Sequence, residues 1–539
     1  MLFFFLSLLP LLFLVISLVI RKIPLKYAAF CSLIFTIFIA VLFFNQDLYL
    51  ISRILLEAVA FTSWPIVIIL FAALFSYNFI IETGRIDTIK KFVFSFSSEK
   101  SVLVLILVWG LGTLLEGVAG FGTPVIIPAG ILITLGFNPF FAVVICLLAN
   151  CTTSTFGAAG LPVLTTSIIT DLLPNVTAAF VAFKFFLIVL ILPFILVFLT
   201  EKSFKKVLKN LPETMAASLG FALTYILTAF FLGPELPVIM GSLVVIALVV
   251  TVSTIRKKLS TRVQNSVQDP VQNHAQKENS TESKKAAGRE IFNAFSVYFF
   301  ILAFIIIVSP LFPEIKKFLD SFCSKVKFYP GDTGKTITFY WFSNPGVLIL
   351  LAVSFVGFLD VLKRKEKKSI CLPTLKKTLK TITSLAISLV LFVSISMVMR
   401  YSGMINILAE QVAFLTGSLF PLFSPLVGAL GAFITGSSLT SSILLGGFQK
   451  YVAINLGINP CWLISATLVG ATVGKILSPY FITIALSSGE GLTGNESKLF
   501  FKVLPFCLIF LTFLGLVTYF FSSFTEAIVS LVNLLQKTQ

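Results

Sequence analysis

The chain has 539 residues, of which 57% are hydrophobic and only 12% are charged, whereas about a quarter of the residues in a soluble domain carry a charge. Together with a mean hydropathy of +1.03, this composition excludes a soluble protein and predicts an all-α protein that crosses a lipid bilayer many times. The formal net charge of +17 does not indicate nucleic-acid binding, because the lysines and arginines lie mainly in loops between apolar runs, as in the cytoplasmic loops of membrane proteins.

At about 20 residues per spanning helix, a chain of this length accommodates about twelve transmembrane helices. The first apolar run, residues 2–20, is followed by basic residues at 21, 22 and 26. A signal peptide has its basic residues before the apolar core, so this run is interpreted as a retained helix with the N terminus outside. The other apolar runs of the N-terminal half cover residues 27–44, 64–81, 176–199, 214–232 and 238–255.

A polar segment divides the chain. Residues 256–290 are rich in Gln, Asn, Ser, Lys and Glu, a composition that predicts a disordered cytoplasmic linker. The linker separates an N-terminal membrane half, residues 1–255, from a C-terminal membrane half, residues 291–539.

The C-terminal half continues the alternation of apolar runs and basic loops. Its elements are apolar runs at 291–309, 346–362 and 503–521, a basic cytoplasmic segment at 363–380 and a short amphipathic or spanning piece at 524–535. The external loop between the first two runs contains a glycine-rich hexapeptide from Pro330 to Lys335. Its spacing and flanks favour a plain turn over a phosphate-binding loop.

Two long stretches of low charge are interrupted by glycine and proline. Residues 101–170 carry one charged side chain, Glu116, and residues 411–489 carry two, Lys450 and Lys475. Broken backbone at membrane depth is tolerated only where it is buried in protein or lines a watery cavity, and an ionisable residue there is a candidate for function. Each stretch is therefore predicted to contain re-entrant hairpins and broken helices.

The two stretches share a motif when they are aligned at an offset of 321 residues. Leu135–Pro139 (LGFNP) then falls on Leu456–Pro460 (LGINP), with clusters of glycine and hydroxyl residues before and after each copy. Paired interrupted segments in corresponding halves mark the substrate site of many secondary carriers. The sequence thus predicts a repeated module, and if its two copies have opposite orientation, their hairpin tips meet near the membrane midplane.

The two stretches differ in charge. The first offers the carboxylate of Glu116, which can take up a proton when it is removed from water, and the second offers the amine of Lys475, which suits an anionic substrate. Together they would let a small acid anion travel with a proton. The alternative is that the two side chains only pair with each other or with the backbone and stabilise the fold.

The residues predicted to bind the substrate lie in the same interrupted segments. They are Lys475, Gly120, Gly122, Thr123, Asn150, Thr435, Ser437, Ser438, Thr440, Ser441 and Ser478. Each hydroxyl has a second interpretation, because serine and threonine also satisfy the free carbonyl groups of broken helices.

No cofactor or metal site is predicted. The seven cysteines form no CxxC pair and are interpreted as small buried hydrophobes, and the only histidine, His274, lies in the polar linker. This excludes zinc sites of the usual histidine type and histidine-based catalytic triads. A membrane-embedded enzyme would need a nucleophile with a base or paired acids within the bilayer, and neither occurs. A passive anion channel stays open, because a gate has no sequence motif.

The chain resembles the L-lactate permease family, bacterial carriers of lactate and related 2-hydroxy acids such as glycolate. The ordered segments that carry the resemblance are Trp64–Ile66, Thr83–Asp87, Glu116–Val125, Phe156–Pro162, Gly233–Pro237, Tyr401–Gly403, Thr435–Ser437, Gly474–Pro479 and Gly494–Ser497. The resemblance implies proton-coupled transport of a small 2-hydroxycarboxylate across the cytoplasmic (inner) membrane, on a fold of two inverted hairpin-containing repeats. It implies nothing about the oligomeric state.

Three positions depart from the pattern of that family. An acid usually follows the Thr-Gly-Ser segment, where this chain has Ser438, and a threonine usually comes next, where it has Leu439. A glutamine usually follows Ser478-Pro479, where this chain has Tyr480. These departures leave open a carrier or channel for a different small organic anion, with altered proton coupling.

Overall fold

The computed structural model describes residues 2–17, 24–94, 99–120, 122–265, 279–308, 311–330, 336–363, 371–489, 492 and 494–537. The predicted all-α membrane fold is confirmed, since these residues are helical apart from one short hairpin and the connections. Within this part of the chain, nine helices are long and apolar enough to span a bilayer, or up to eleven if two bent pairs each count as one span. The count of about twelve stays a prediction.

The helices of the N-terminal half follow one another with short connections. They are α1 (Leu2–Val15), α2 (Leu25–Phe43), α3 (Leu48–Phe61), α4 (Ile68–Glu82), α5 (Arg85–Phe94), α6 (Lys100–Val104), α7 (Thr113–Val118), α8 (Thr123–Thr134), α9 (Pro139–Asn150), α10 (Gly157–Thr170), α11 (Pro174–Glu201), α12 (Phe204–Lys209), α13 (Leu211–Phe231) and α14 (Pro237–Asn265). Two π-helical segments, Thr62–Val67 and Leu105–Gly112, join α3 to α4 and α6 to α7, and a 3₁₀ turn, Ser154–Phe156, precedes α10.

The C-terminal half contains the only strands of the described residues. Its elements are α15 (Asn279–Ile307), α16 (Pro313–Asp320), β1 (Cys323–Lys327), β2 (Thr336–Tyr340), α17 (Pro345–Lys363), α18 (Cys371–Tyr401), α19 (Met404–Thr416), α20 (Phe420–Thr435), α21 (Ser438–Asn455), α22 (Pro460–Lys475), α23 (Pro479–Leu486), α24 (Glu496–Phe520) and α25 (Thr525–Lys537). Two further 3₁₀ turns are Gly417–Leu419 and Ser522–Phe524.

Helix α3 was not predicted, because Arg53 and Glu57 interrupt its apolar run. The fold gives both charges polar partners. Arg53 Nε donates to the backbone oxygen of Phe328 at 2.9 Å, and the hydroxyl of Tyr401 donates to Glu57 Oε1 at 2.9 Å. Tertiary partners thus replace water around these groups, which local hydropathy does not register.

The segment predicted to be a disordered linker is partly helical. In it, α14 continues to Asn265 and α15 begins at Asn279, while residues 266–278 lie outside the described residues. The basic segment at 363–380 is also helical from Cys371 onward. Lysine, leucine, glutamate and alanine are good helix formers, so a spanning helix can extend beyond the apolar core of the bilayer without an apolar face.

The LGxNP motif makes the same turn twice. Gly136 and Gly457 have φ of +81° and +66°, values that favour glycine and end the preceding helices. The side chains of Asn138 and Asn459 then accept hydrogen bonds from the backbone amides of the next helices, whose first residue is proline. The helices that precede the two turns differ in length: α8 has 12 residues and α21 has 18. The offset of 321 residues that aligns the two turns therefore does not align the beginnings of these helices.

The two ends of the helical assembly differ in their polar groups. At the end that we call the basic end, ion pairs join Arg85 to Asp360, Arg256 to Glu213 and Lys377 to Glu82. The opposite end carries the antiparallel β1–β2 hairpin, in which Cys323 pairs with Tyr340, and we call it the hairpin end. The predicted turn at 330–335 lies almost wholly outside the described residues, which stop at Pro330 and resume at Thr336.

Candidate functional site

A cavity of about 510 Å³ lies where the interrupted segments of the two halves meet. Its wall comes from the end of α7, the beginnings of α8 and α10, the tip between α20 and α21, and the break between α22 and α23. Asn78 on α4 and Thr381 on α18 also line it. Because these two residues lie one turn from the Glu82–Lys377 ion pair, the cavity reaches toward the basic end.

Glu116 lies on α7 and is only 2% exposed. Asn150 Nδ2 donates to its Oε2 at 2.8 Å, and the Ser154 hydroxyl donates to its Oε1 at 2.5 Å. Glycine is required beside it, since a Cβ on Gly157 would lie 2.6 Å from Oε1. The carboxylate is therefore held by two neutral donors from the break between α9 and α10.

Lys475 is the last residue of α22 and is 5% exposed. Its Nζ donates to Ser154 Oγ at 2.7 Å and lies 3.4 Å from Glu116 Oε1. The ring of Phe481 lies under the amine, with its centroid 4.4 Å away, which adds a cation–π contact. A single hydroxyl thus links the buried cation of the C-terminal half to the buried anion of the N-terminal half.

The second tip presents the beginning of α21 to the cavity. Gly436 turns the chain with a φ of +71°, and the Ser437 hydroxyl accepts a hydrogen bond from the amide of Thr440 as a helix cap. Ser438 and Thr440 follow on the first turn and line the cavity. The free amides and the dipole of a helix beginning attract anions.

Some of the predicted site residues line the cavity and others do not. Those that line the cavity are Glu116, Lys475, Gly120, Thr123, Thr435, Ser437, Ser438 and Thr440. Two of these hydroxyls also bond backbone carbonyls, Thr123 to Gly120 at 2.8 Å and Thr435 to Gly431 at 2.8 Å.

Four predicted residues are not part of the lining. Asn150 contacts two residues of the lining, Glu116 at 2.8 Å and Ser154 at 3.2 Å, and Ser441 donates to the carbonyl of Gly428 at 2.8 Å. Gly122 is the left-handed cap of α8, with a φ of +89°. Ser478 is buried, and its hydroxyl has no hydrogen-bond partner among the described residues. These four positions lie outside the lining, which a list of small and polar residues does not reveal.

Sequence reasoning missed Ser154, which holds the two charges together. The sequence contained a hint of this contact, since Ser154 is aligned with Lys475 at the offset of 321 residues that aligns the two LGxNP motifs. It also missed Asn78, a polar residue within an otherwise apolar run. Ser438, Leu439 and Tyr480, the three departures from the family pattern, all line the cavity.

The cavity combines one buried cation and one buried anion with several hydroxyls, so its empty state is electrically neutral. A metal site is not indicated, because no group of three or more His, Cys, Asp or Glu side chains suited to a metal ion occurs in the described part of the chain. In this arrangement, the carboxylate of a bound anion can replace Glu116 as the partner of Lys475.

Comparisons with known proteins agree over nearly the whole chain. The family model described as L-lactate permease matches residues 3–524. An L-lactate permease of Streptococcus iniae is 35% identical over 458 residues, which cover 85% of this chain and 92% of that protein. The glycolate permease GlcA of Escherichia coli strain K12 is 29% identical over 540 residues, covering 95% and 94%.

Two further matches are more distant. An L-lactate permease of Bacillus subtilis strain 168 is 28% identical over 542 residues, covering 95% of this chain and 94% of that protein. Among solved structures, the YdaH transporter of Alcanivorax borkumensis aligns with 82% of this chain and 88% of its own, at 14% identity and a TM-score of 0.33.

Proposed function

The chain belongs to the L-lactate permease family, and from that membership we propose that this membrane transporter carries L-lactate or a related small 2-hydroxycarboxylate, such as D-lactate or glycolate, together with a proton. The observation that carries the proposal is the contact of Glu116 with Lys475 inside the cavity. The volume of about 510 Å³ lies within the range of small-molecule sites, roughly 300–1,000 Å³.

Charge balance couples the anion to the proton. The empty cavity holds one negative and one positive side chain, so an added carboxylate that pairs with Lys475 leaves Glu116 without its cation. A buried unpaired charge is costly, and a carboxylate in that position is stabilised by taking up a proton. Binding of one anion with one proton therefore returns the site to neutrality, and binding of the anion alone does not.

The hydroxyl-rich tip supplies the rest of the recognition. Lys475 and the first turn of α21 attract the carboxylate of the substrate from two sides. Ser438 and Thr440 line the same wall and offer partners for a 2-hydroxyl group. Ser154 accepts from Lys475 and donates to Glu116, so one hydroxyl contacts both of the side chains whose partners change.

The proposal includes an orientation. The basic end, with the loops after α4, α11 and α17, lies in the cytoplasm, as the distribution of lysine and arginine predicts. The N terminus and the hairpin end then face outward, and the membrane is the cytoplasmic (inner) membrane. The cavity, which reaches toward the basic end, belongs to an inward-facing state.

The Glu116→Gln variant tests the coupling. The purified protein is reconstituted into liposomes whose interior is more alkaline than the outside, and the net uptake of labelled L-lactate is measured. Exchange of labelled for unlabelled lactate is measured separately with the same pH on both sides. We expect the wild type to accumulate lactate above equilibrium. The variant should keep exchange and lose accumulation, because a neutral side chain at 116 removes the need for a proton.

Glu116→Asp is the matched control and should retain gradient-driven uptake. Accumulation by Glu116→Gln at the wild-type level would contradict the coupling role. Loss of exchange as well as accumulation would assign Glu116 to the fold alone.

A second candidate substrate class is favoured by one observation. Ser438, Leu439 and Tyr480 all line the cavity, so the departures from the family pattern change its polarity where a substrate would lie. The alternative is a carrier or channel for a different small organic anion with altered coupling. Competition of labelled lactate uptake by L-lactate, D-lactate, glycolate and dicarboxylates separates the two.

A further inference from the structure

A second cavity, of about 490 Å³, lies at the hairpin end. Helix α10 separates it from the central cavity. Gly157, Ala158, Leu161 and Pro162 line the central cavity, whereas Leu164, Thr165, Ile168 and Ile169 line the second one. We call the second space the outer vestibule. One helix therefore contacts both spaces along its length.

Glu235 lines the outer vestibule from the turn between α13 and α14. The preceding peptide is in direct contact with the beginning of α10, since a Cβ on Gly160 would lie 2.3 Å from the carbonyl oxygen of Pro234. Three residues earlier, a Cβ on Gly157 would lie 2.6 Å from Glu116 Oε1. The four residues from Gly157 to Gly160 thus fill the space between the Glu116 carboxylate and the Pro234–Glu235 peptide.

This short segment is strained. Ala158, Ala159 and Gly160 have φ values of +46°, +54° and +74°, and a left-handed conformation is unfavourable for an alanine because of its Cβ. Strain of this kind persists where the surroundings enforce it and is concentrated in segments that change conformation. The strained segment is therefore in contact with the Glu116 carboxylate on one side and with the Pro234 carbonyl on the other.

The remaining wall of the outer vestibule carries charges of both signs. The titratable and charged groups that face Glu235 across it are Glu57 on α3, Asp171 after α10, Lys316 and Asp320 on α16, Tyr340 on β2, and Arg400 and Tyr401 on α18. Arg400 is bound to Asp171 at 3.0 Å and to the carbonyl of Ile169 at 2.8 Å, and Tyr401 donates to Glu57. Arg400 and Tyr401 are thus engaged with Asp171 and Glu57, whereas the charge of Lys316 acts on Glu235.

Glu235 titrates in the physiological range. Burial raises the pKa of this carboxyl to about 7, against the opposing effects of its own backbone amide and of Lys316. The side chain is neutral below that pH and charged above it. As the pH rises through about 7, the carboxyl loses its proton and places a negative charge on the residue next to Pro234, whose carbonyl contacts the beginning of α10.

We propose that Glu235 is the external proton-binding site of the transporter, which takes up a proton from the solution in the outer vestibule and passes its charge state to the break in α10 that contacts Glu116. The step adds one proton to a carboxylate and breaks no other bond. The inference rests on the proposed symport, because an external proton site has no role in a carrier that does not move protons.

The test uses right-side-out membrane vesicles that contain the full chain and labelled L-lactate as the probe. The external pH is varied from 6 to 8.5, and the internal pH is kept one unit higher at each point, so that the driving force stays constant. We expect wild-type uptake to fall as the external pH rises through about 7, by up to about tenfold per unit well above it, as for one titrating group. Uptake by Glu235→Gln should change less than about twofold over the same range.

Two controls make the result specific. Asp320→Asn removes another acid of the outer vestibule and should keep the wild-type pH profile, and Glu235→Asp should keep a titration. Lactate exchange at equal pH should survive in Glu235→Gln, because exchange needs no net proton uptake. An unchanged pH profile in Glu235→Gln, or loss of exchange, overturns the assignment. Wild-type uptake that stays the same when the internal pH is set equal to the external pH refutes the proposed symport itself, whatever the variant does.

Discussion

At the scale of single residues, the central feature is a buried ion pair that is held by neutral groups. Lys475 and Glu116 are separated by 3.4 Å, and Ser154 and Asn150 complete their hydrogen bonds. Buried ion pairs contribute little net stability, because desolvation cancels much of the attraction. A pair of this kind is therefore well suited to a site where one partner is exchanged during function.

Lys475→Ala removes the cation that we propose for the substrate carboxylate. Hydrogen bonds to charged groups contribute about 1.5–3 kcal/mol, so the half-saturation concentration for lactate exchange should rise by roughly 10- to 100-fold. Lys498→Ala is the matched control, since Lys498 also lies over a ring, that of Phe140 at 5.1 Å, but on the exposed surface. It should leave the value unchanged.

The single Lys475 variant leaves Glu116 buried without its cation, so the double variant Glu116→Gln/Lys475→Ala provides a second measurement. It removes both charges and should show the same weakened affinity in a folded protein. A half-saturation concentration equal to that of the wild type in either variant would remove Lys475 from the substrate site.

Another buried cation shows that charge inside the fold is not by itself evidence of a substrate site. Lys184 on α11 is 1% exposed and donates to the carbonyl of Trp462 at 3.1 Å and to Ser465 at 2.7 Å. Its amine also lies 3.0 Å from the centroid of the Trp462 ring. These contacts join α11 to the first turn of α22, so we assign Lys184 to packing.

At the scale of helices, the position of Lys475 depends on how closely α22 approaches α20. A Cβ on Gly470 would lie 1.8 Å from the carbonyl of Pro425, and one on Gly474 would lie 2.2 Å from the carbonyl of Ala429. Gly428 makes the reciprocal contact, 2.0 Å from the carbonyl of Thr467. Small residues allow such close backbone contact in membranes, where helices associate by packing.

Gly470→Ala should separate α20 from α22, because the obstacle is backbone and cannot rotate away. Overpacking typically costs 1–3 kcal/mol, and we expect a clear fall in the melting temperature in detergent together with weaker lactate exchange. Gly130→Ala on α8 is the control, since its nearest neighbour is a carbonyl oxygen 3.7 Å away and alanine favours the helix. Equal melting temperatures for the two variants would show that the contact between α20 and α22 adapts.

At the scale of the whole molecule, the proposed mechanism depends on the net charge of the central cavity. The central cavity is neutral when empty and stays neutral only if each bound carboxylate brings a proton. The linkage is reciprocal, so a lower pH must strengthen anion binding as much as the anion strengthens proton binding. Helix α10 lies between this cavity and the outer vestibule.

Proton uptake on binding is measurable without transport. Adding L-lactate, adjusted to the same pH, to purified wild-type protein in weakly buffered detergent should raise the pH by an amount that corresponds to about one proton per bound anion. Glu116→Gln should bind lactate with little uptake of protons. Binding by the wild type with no change in pH would contradict the charge-balance mechanism, even if transport were normal.

The sequence by itself determined the class of the protein, the family and the location of the unusual segments. Hydropathy, glycine and proline content and the scarcity of charge are local properties, so they identified the membrane fold, the repeated motif at Leu135–Pro139 and Leu456–Pro460, and the two candidate charges Glu116 and Lys475. The same local signals failed for α3, because Arg53 and Glu57 find their partners elsewhere in the fold.

Only the tertiary structure decided which of these residues meet. Glu116 and Lys475 lie 359 residues apart in the chain, and their contact depends on how α7, α9 and α22 are packed rather than on any periodicity. Packing also turned Ser441 and Ser478 away from the cavity, brought in Ser154, and set Pro234 and Glu235 against the beginning of α10. A sequence pattern specifies the face of an element, whereas the neighbour of that face is set by the arrangement of all the helices.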